Sequence, residues 1–462
     1  MRADVIVVGA GSAGASLAGH LARAGREVVL IDRRPRGATG ARWVNGVPAW
    51  MFDVAGVPAP KNEELFKHGG AFVMRPLGAR TTVAHRGSGD LLHVDMRHLV
   101  DRLVDGAVDS GARFVVSSVR GVTVEKNEAT LHTDGAGGAS ATLRARLVVD
   151  ASGLGAVVRR TCGAPGMAAR VDRHDVCGAA QYQFEVTRKD ALAEWLLEHD
   201  AVPGDDVAIP GVAGGYSTLT LFTRAELDEV GVLAGSIPSL GVDNGAQLVR
   251  RFVAEIDWLG EQTFGGRGAI PVRRPLSHLR GPRVALVGDA ACQVYGTHGS
   301  GVGIGLIAAR LLADSVALAS DPGAAASLAD YERRFLHDWG GLLTASDTLR
   351  RFAQRSPPEL AAAALDAGLI DDEIFSAALL QRPIRPSLRS LRGLVWRSAR
   401  SPLVAARFGP AIARALASEQ LGRYRDSPIA SWLVGHDAIP DERPRIVNPL
   451  TDSARESARP PS

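Results

Sequence analysis

Residues 4–32 read Asp4-Val-Ile-Val-Val-Gly9-Ala-Gly11-Ser-Ala-Gly14, then a run of small residues, then Arg26-Glu-Val28-Val-Leu-Ile-Asp32. Val5–Val8 is a short continuous apolar run, the pattern of a strand buried on both faces of a parallel sheet. Gly9, Gly11 and Gly14 have the GxGxxG spacing. Gly9 permits a tight turn, Gly11 lets the backbone approach a pyrophosphate, and Gly14 lets a helix pack closely on the sheet. A helix over about Ala13–Ala24 turns its free N–H groups toward the phosphates, Gly25 ends it, and Val28–Ile31 forms the next parallel strand. Asp32, at the end of that strand, is placed to accept a ribose hydroxyl. Strand, helix, strand and acid occur in register, so a dinucleotide is expected; this motif alone does not separate FAD from NAD.

A second stretch makes that separation. Residues 283–302 read Arg283-Val-Ala-Leu-Val-Gly288-Asp289-Ala-Ala-Cys-Gln-Val-Tyr295-Gly-Thr-His298-Gly299-Ser-Gly301-Val302. Val284–Val287 reads as another buried strand. The Asp289 carboxylate, beside a glycine that allows close approach, suits the ribityl hydroxyls of a flavin. A helix over about Gly301–Leu318 would turn its positive end to the pyrimidine side of the isoalloxazine and stabilise the charge of reduced flavin.

The pairing of GxGxxG with GDAA at 288–291 resembles the flavoproteins similar to para-hydroxybenzoate hydroxylase. Gly268-Ala-Ile-Pro-Val-Arg-Arg-Pro275, Gly299-Ser-Gly301, Ala329-Asp-Tyr-Glu-Arg-Arg334 and Val94-Asp-Met-Arg-His-Leu-Val-Asp-Arg102 resemble the geranylgeranyl reductase branch of that superfamily, over about residues 1–335. The resemblance implies FAD contacts at Ala13, Asp32, Arg97, Asp289, Gly301 and Val302. It also puts Arg42 and Trp43 at the flavin edge and Val119 near adenine. Gly9, Gly11, Ser12, Gly14, Arg33 and Gly299 complete the candidate cofactor set, and Leu147-Val-Val-Asp-Ala-Ser-Gly153 resembles the strand beside the adenosine. Trp50, just beyond the Gly40–Gly46 loop, is expected near the flavin as well.

Departures from these patterns bear on the reaction. Hydroxylases of the superfamily carry Asp-Gly where this chain has Ser152-Gly153. No second complete GxGxxG fold is present, so electrons would come from transiently docked NAD(P)H or from a separate reductase. Related halogenases add a WxWxIP signature and use a lysine; no two tryptophans here fall two apart, and Lys61 or Lys67 would have to serve. Geranylgeranyl reductases carry YxWxFP in the substrate sheet, whereas Gly215-Tyr-Ser-Thr-Leu-Thr-Leu-Phe222 keeps only Tyr216. The expectation is an FAD-dependent oxidoreductase of reductase or dehydrogenase type, passing hydride at flavin N5 to or from a hydrophobic, lipid-like or carrier-bound metabolite. The alternatives are a monooxygenase or halogenase using a C4a-(hydro)peroxyflavin, and a flavin-bearing redox sensor or scaffold. Candidate proton-handling residues are His298, whose side chain ordinarily titrates near neutrality, Tyr295 and Tyr216. The twelve histidines are dispersed and suggest no metal site.

The 462 residues are ample for several domains. The expected class is α/β: a Rossmann-like FAD-binding domain interleaved with a β-sheet substrate domain, plus a helical C-terminal region. The expected divisions are 1–165 and 271–350 for the FAD-binding domain, 166–270 for the substrate sheet, 351–450 for the helical region and 451–462 for an unstructured tail. A net charge of +3 disfavours a bulk polyanion such as nucleic acid as partner. Lysine occurs only at Lys61, Lys67, Lys126 and Lys189, and the other basic residues are arginine. Cys162, Cys177 and Cys292 lie far apart and form no disulfide framework; with no leader pattern at the start, a cytoplasmic protein is expected. Residues 382–425 hold ten arginines and one acid, Glu419, with Leu388, Leu391, Val395 and Trp396 among them. That stretch is a candidate surface for an acidic carrier protein or an anionic membrane, with peripheral association as the consequence.

Overall fold

Arg2–Val8 pairs in parallel with Ser140–Asp150 on one side and with Val28–Asp32 on the other. With neighbours on both sides, this strand is central in its sheet, and Val5, Ile6 and Val7 are fully buried. The computed structural model describes residues 2–87, 89–134, 140–168, 170–385 and 387–421. The chain divides into two units: one of residues up to Phe66, Leu92–Asp172 and Pro271–Leu343, the other of Lys67–Leu91, Arg173–Ile270 and Thr344 onward. The expected 451–462 tail and the expected helical region beyond 421, Arg423 and Arg425 included, lie outside the described residues.

The first unit is built on a sheet in the order Arg280–Gly281, Val284–Leu286, Ser140–Asp150, Arg2–Val8, Val28–Asp32, Arg113–Val116. Ala129–Asp134 and Ser118–Val124 extend it as an antiparallel ribbon. Register aligns Val8 with Asp150 and with Ile31, and Val287 N donates to Asp150 O at 3.0 Å. The carboxyl ends of four strands thus share one edge, where open α/β sheets bind their ligands. The Ser12–Arg23 helix buries mainly Gly, Ala and Ser together with Leu17 and Leu21, and packs against the helices Met96–Asp109 and Val302–Val316.

Two glycines make that packing possible. Gly9 has φ +104°, and a Cβ there would lie 2.3 Å from Ala151 O; one at Gly14 would lie 2.0 Å from Gly9 O. The first turn is therefore wedged between its own helix and the loop after Ser140–Asp150.

In the second unit, among the described residues, a seven-stranded sheet runs Leu259–Pro271, Val176–Val186, Glu229–Ser236, Ser217–Thr223, Asp206–Pro210, Phe72–Met74, Val83–His85. Leu192, Leu196, Leu219, Leu221, Val230, Val232, Leu248 and Trp258 form its core with the helices Lys189–Glu198 and Gly245–Glu255. The interleaving expected from sequence is present, with a correction. Lys67–Leu91 leaves the first block, because Phe72–Met74 pairs in parallel with Asp206–Pro210. The helices from Pro358 to Leu379 also belong to this unit. Asp366 accepts from the N–H groups of Arg80 and Thr81, and Asp372 accepts from Ala84 N at 2.9 Å, so the helices take up donors that the sheet edge leaves unpaired. Among the described residues, no helix is long and apolar enough to cross a membrane.

The Lys67 Nζ donates to Asp206 Oδ1 at 2.5 Å and to Gly204 O at 2.6 Å, and both side chains of the ion pair are almost wholly buried. Lys67→Met strands the Asp206 charge and should cost about 3–5 kcal/mol. The double variant Lys67→Met/Asp206→Leu should recover most of the loss in a calorimetric melt. Equal destabilisation by the single and double variants would show that the pair is not what holds this edge.

Candidate functional site

The amino end of the Ser12–Arg23 helix is open. Gly11 lies just before it with no side-chain cap, no acid occupies the first turn, and a Cβ at Gly11 would meet nothing within 4 Å. Packing therefore does not require glycine at this position, whereas an anion brought onto the helix end does. Asp32 faces the same turn. Its Oδ2 accepts from Ala10 N at 2.9 Å and its Oδ1 from Arg34 N at 2.9 Å, so it braces the turn while keeping acceptor capacity for a hydroxyl. Ser12 and Ala13 begin the helix, and Arg33 is exposed just past the strand.

Ala13 also joins the two sequence motifs. A Cβ at Gly288 would lie 3.4 Å from the Ala13 Cβ, and one at Gly305 would lie 3.2 Å from it. Gly288–Ala291 is a single 3-10 turn after Val284–Leu286, and Val302–Val316 follows with Gly301 before its first residue. A Cβ at Gly301 would fall 3.2 Å from Asp289 Oδ1, so the carboxyl group lies against the amino end of this helix. It receives no hydrogen bond from the described residues, and burial pushes its pKa up to about 6. A carboxylate left without a donor inside the fold is a site for hydroxyl groups from elsewhere, as a ribityl chain supplies.

Two residues that the sequence reading assigned no role hold this turn. The buried Gln293 accepts from Gly288 N at 2.7 Å and donates to the Tyr331 hydroxyl at 2.9 Å, and that hydroxyl donates to Leu286 O at 2.7 Å. Glu332 accepts from Leu279 N at 2.7 Å. The Ala329–Arg334 motif is thus a clamp on the GDAA strand and turn. Its presence was legible as a resemblance; its purpose was not, because Tyr331 acts across 38 residues.

Near the start of the Met96–Asp109 helix, Asp95 caps by accepting from Arg97 N at 2.9 Å and grips the Arg97 guanidinium, with Nη2 to Oδ2 at 2.6 Å. Met96 N donates to Trp43 O at 3.0 Å, and the Arg42 guanidinium is 3.5 Å from Asp101. Arg42, Trp43 and Arg97 are therefore brought to one helix end. Val119 follows the strand that flanks Val28–Asp32 and pairs with Thr133. Trp50 stacks on Trp339 at 5.8 Å between ring centroids. Asp150 accepts from Ser152 N, Ser152 Oγ and Arg159 N, which makes the loop with Ser152-Gly153 self-supporting.

Tyr295 and His298 share a loop closed by Tyr295 N donating to Ser300 O at 2.9 Å, with Gly299 at φ +66°. Tyr295 is buried and its ring is 5.1 Å from the His298 ring. His298 is accessible at the loop tip, yet the protein around it keeps water scarce enough to lower its imidazole to about 4. Desolvation thus favours the neutral form of the ring. Tyr216 belongs to the second unit, where burial pushes its phenol up. The buried Arg350 guanidinium belongs to that unit too, bridging Asp175 at 2.8 Å and Asp347 at 2.5 Å.

Residues 2–204 match a family model described as an FAD binding domain. The chain is 27% identical over 344 residues, 72% of its length and 86% of the relative's, to digeranylgeranylglycerophospholipid reductase 1 of Methanopyrus kandleri. Its fold is similar to that of a geranylgeranyl bacteriochlorophyll reductase-like protein of Thermoplasma acidophilum, with TM-score 0.71, 18% identity and coverage of 89% of this chain and 99% of the other. It is also similar in fold to the flavin-dependent brominase Bmp2, with TM-score 0.58, 13% identity and coverage of 87% and 99%.

An ionised Asp289 would accept hydroxyl hydrogen bonds more strongly than its neutral form. FAD affinity should therefore be flat above about pH 6 and fall on acidification below it, by up to about tenfold per pH unit. Titration calorimetry of the apoprotein should show this slope, and Asp289→Asn should flatten it. Gly11→Asp should lower FAD affinity on the order of 100-fold at an unchanged melting temperature, since only ligand space is filled. Tyr331→Phe should instead cost about 1–3 kcal/mol of stability by leaving its two partners unpaired. The chain is an FAD-dependent oxidoreductase with an FAD binding domain over residues 2–204, and is similar over most of its length to digeranylgeranylglycerophospholipid reductases.

Proposed function

We propose that the protein is a reductase that adds hydrogen to a carbon–carbon double bond of a hydrophobic, lipid-like metabolite. The observation that carries this reading is the similarity to a digeranylgeranylglycerophospholipid reductase over 344 residues, a length greater than either unit. When bound, FAD supplies the hydride chemistry at its N5 atom. The residues do the remainder. The helix end at Gly11 receives the pyrophosphate, Asp32 a ribose hydroxyl and Asp289 the ribityl hydroxyls. The amino end of Val302–Val316 stabilises negative charge on the reduced ring, and Arg97, held by Asp95, orients beside Trp43.

Proton delivery falls to the Tyr295–Ser300 loop. A neutral His298 passes a proton from water to the substrate and returns to its resting form, with Tyr295 as support. One feature departs from a geranylgeranyl reductase and another from a halogenase: Tyr216 is followed by the Thr- and Leu-rich strand Ser217–Thr223, and Lys67 is occupied by Asp206. The first argues for a substrate shorter or differently shaped than a full geranylgeranyl chain. The second removes Lys67 as the lysine a halogenase would need. Electrons enter from docked NAD(P)H or a partner reductase.

The test is anaerobic mixing of the reduced holoenzyme with polyprenyl lipids of graded chain length. Oxidation of the flavin in step with a gain of two hydrogens in the lipid is expected. His298→Ala should slow that phase about 10- to 100-fold while keeping its flavin. Failure of every polyprenyl lipid to oxidise the flavin, together with incorporation of oxygen or halide into a substrate in air, would overturn the reading.

A further inference from the structure

The Leu388–Arg400 helix is mounted inside out. Ser387, just before its first residue, donates through its hydroxyl to Glu373 at 2.8 Å; Ser390 donates to Asp371 at 2.6 Å, and the Arg397 guanidinium is 3.1 Å from the same carboxylate. Its polar side thus faces the rest of the second unit. Its apolar side faces solvent: Leu388 is 76%, Val395 71% and Trp396 61% exposed, and Leu403 just beyond is 82% exposed. A helix held to a soluble fold ordinarily buries the apolar side. Such a face implies a further apolar contact.

Charge selects the kind of partner. Arg382, Arg385, Arg389, Arg392, Arg400, Arg407 and Arg414 are exposed, whereas the acid of residues 382–421, Glu419, is buried. Asp371 and Glu373 are already spent on the helix itself. Every exposed charge of this segment is therefore positive. Against a second copy across a two-fold axis, arginines would face arginines. A bilayer with anionic headgroups satisfies both features, with Leu388, Val395 and Trp396 in the acyl boundary and the arginines at the phosphates. Arg400 lies over the Trp396 ring at 4.5 Å, a pairing of cation and aromatic ring at the depth where each is at home. At 13 residues the helix suits the plane of the surface, not a span.

We infer that the exposed face of Leu388–Arg400 docks the protein onto an anionic lipid surface. This stands on the surface alone, whatever reaction the flavin carries out. The FAD-loaded full chain is to be sedimented with vesicles of phosphatidylcholine, with and without roughly a third phosphatidylglycerol. Binding to the anionic vesicles, weakened by salt, is expected. The Arg389→Glu/Arg392→Glu/Arg400→Glu variant should bind on the order of 100-fold more weakly, and Leu388→Ser/Val395→Ser/Trp396→Ser should not bind, each with normal flavin content and melting temperature. Because Cys162, Cys177 and Cys292 are all buried, Val395→Cys can be labelled alone with an environment-sensitive dye, whose emission should shift to the blue on anionic vesicles. No binding at low salt, equal binding to neutral vesicles, or a dimer that the apolar triple variant converts to monomer would overturn the inference. The last result would assign the face to a second copy.

Discussion

A carbonyl oxygen 2.0 Å from where a Cβ of Gly14 would stand, and another 2.3 Å from a Cβ of Gly9, set the spacing on which the first unit depends. With side chains at these points, the first helix would be driven off the sheet edge, and Ala13 would lose its place against Gly288 and Gly305. The two flavin motifs lie almost 280 residues apart in the chain, and this close approach lets them form one site. Gly11 differs in kind from its neighbours. Packing does not require glycine there, whereas the fold requires it at Gly9 and Gly14.

The same economy shapes the GDAA turn. The Asp289 carboxyl group receives no hydrogen bond from the described residues, yet the turn beside it is tied: Gln293 to Gly288, Tyr331 to Gln293 and Leu286, Glu332 to Leu279. A raised carboxyl pKa is the cost of keeping one acceptor open, and a fully satisfied polar network keeps that acceptor in position. Asp95 serves Arg97 in the same way, fixing the guanidinium from both the backbone and the side-chain side.

The second unit spends its acids on structure. Asp206 neutralises Lys67, Asp175 and Asp347 enclose Arg350, and Asp366 and Asp372 seal the edge of the sheet. Asp371 and Glu373 anchor the Leu388–Arg400 helix by its polar side and so turn its leucines and tryptophan outward. The arginine excess of the C-terminal region thereby becomes a surface property instead of a set of internal ion pairs.

The α/β class, the βαβ start and the cofactor were legible in the sequence because each rests on local chemistry. Gly9, Gly11, Gly14 and Asp32 sit within one strand–helix–strand unit, and GDAA with its following helix within one short stretch. Contacts between distant residues had no such local signature. Lys67–Leu91 reads like a continuation of the first domain, and only parallel pairing with Asp206–Pro210 moves it. Nothing in the neighbours of Trp50 reveals that the fold will set its ring on that of Trp339. By itself the sequence determined which backbone shapes and which cofactor the chain can accept, because these follow from glycine stereochemistry and the period of burial. Only the tertiary structure decided which carboxylates are consumed, which one stays open, and which face of the last basic helix meets solvent. Those outcomes depend on what each polar group finds opposite it once the chain is folded.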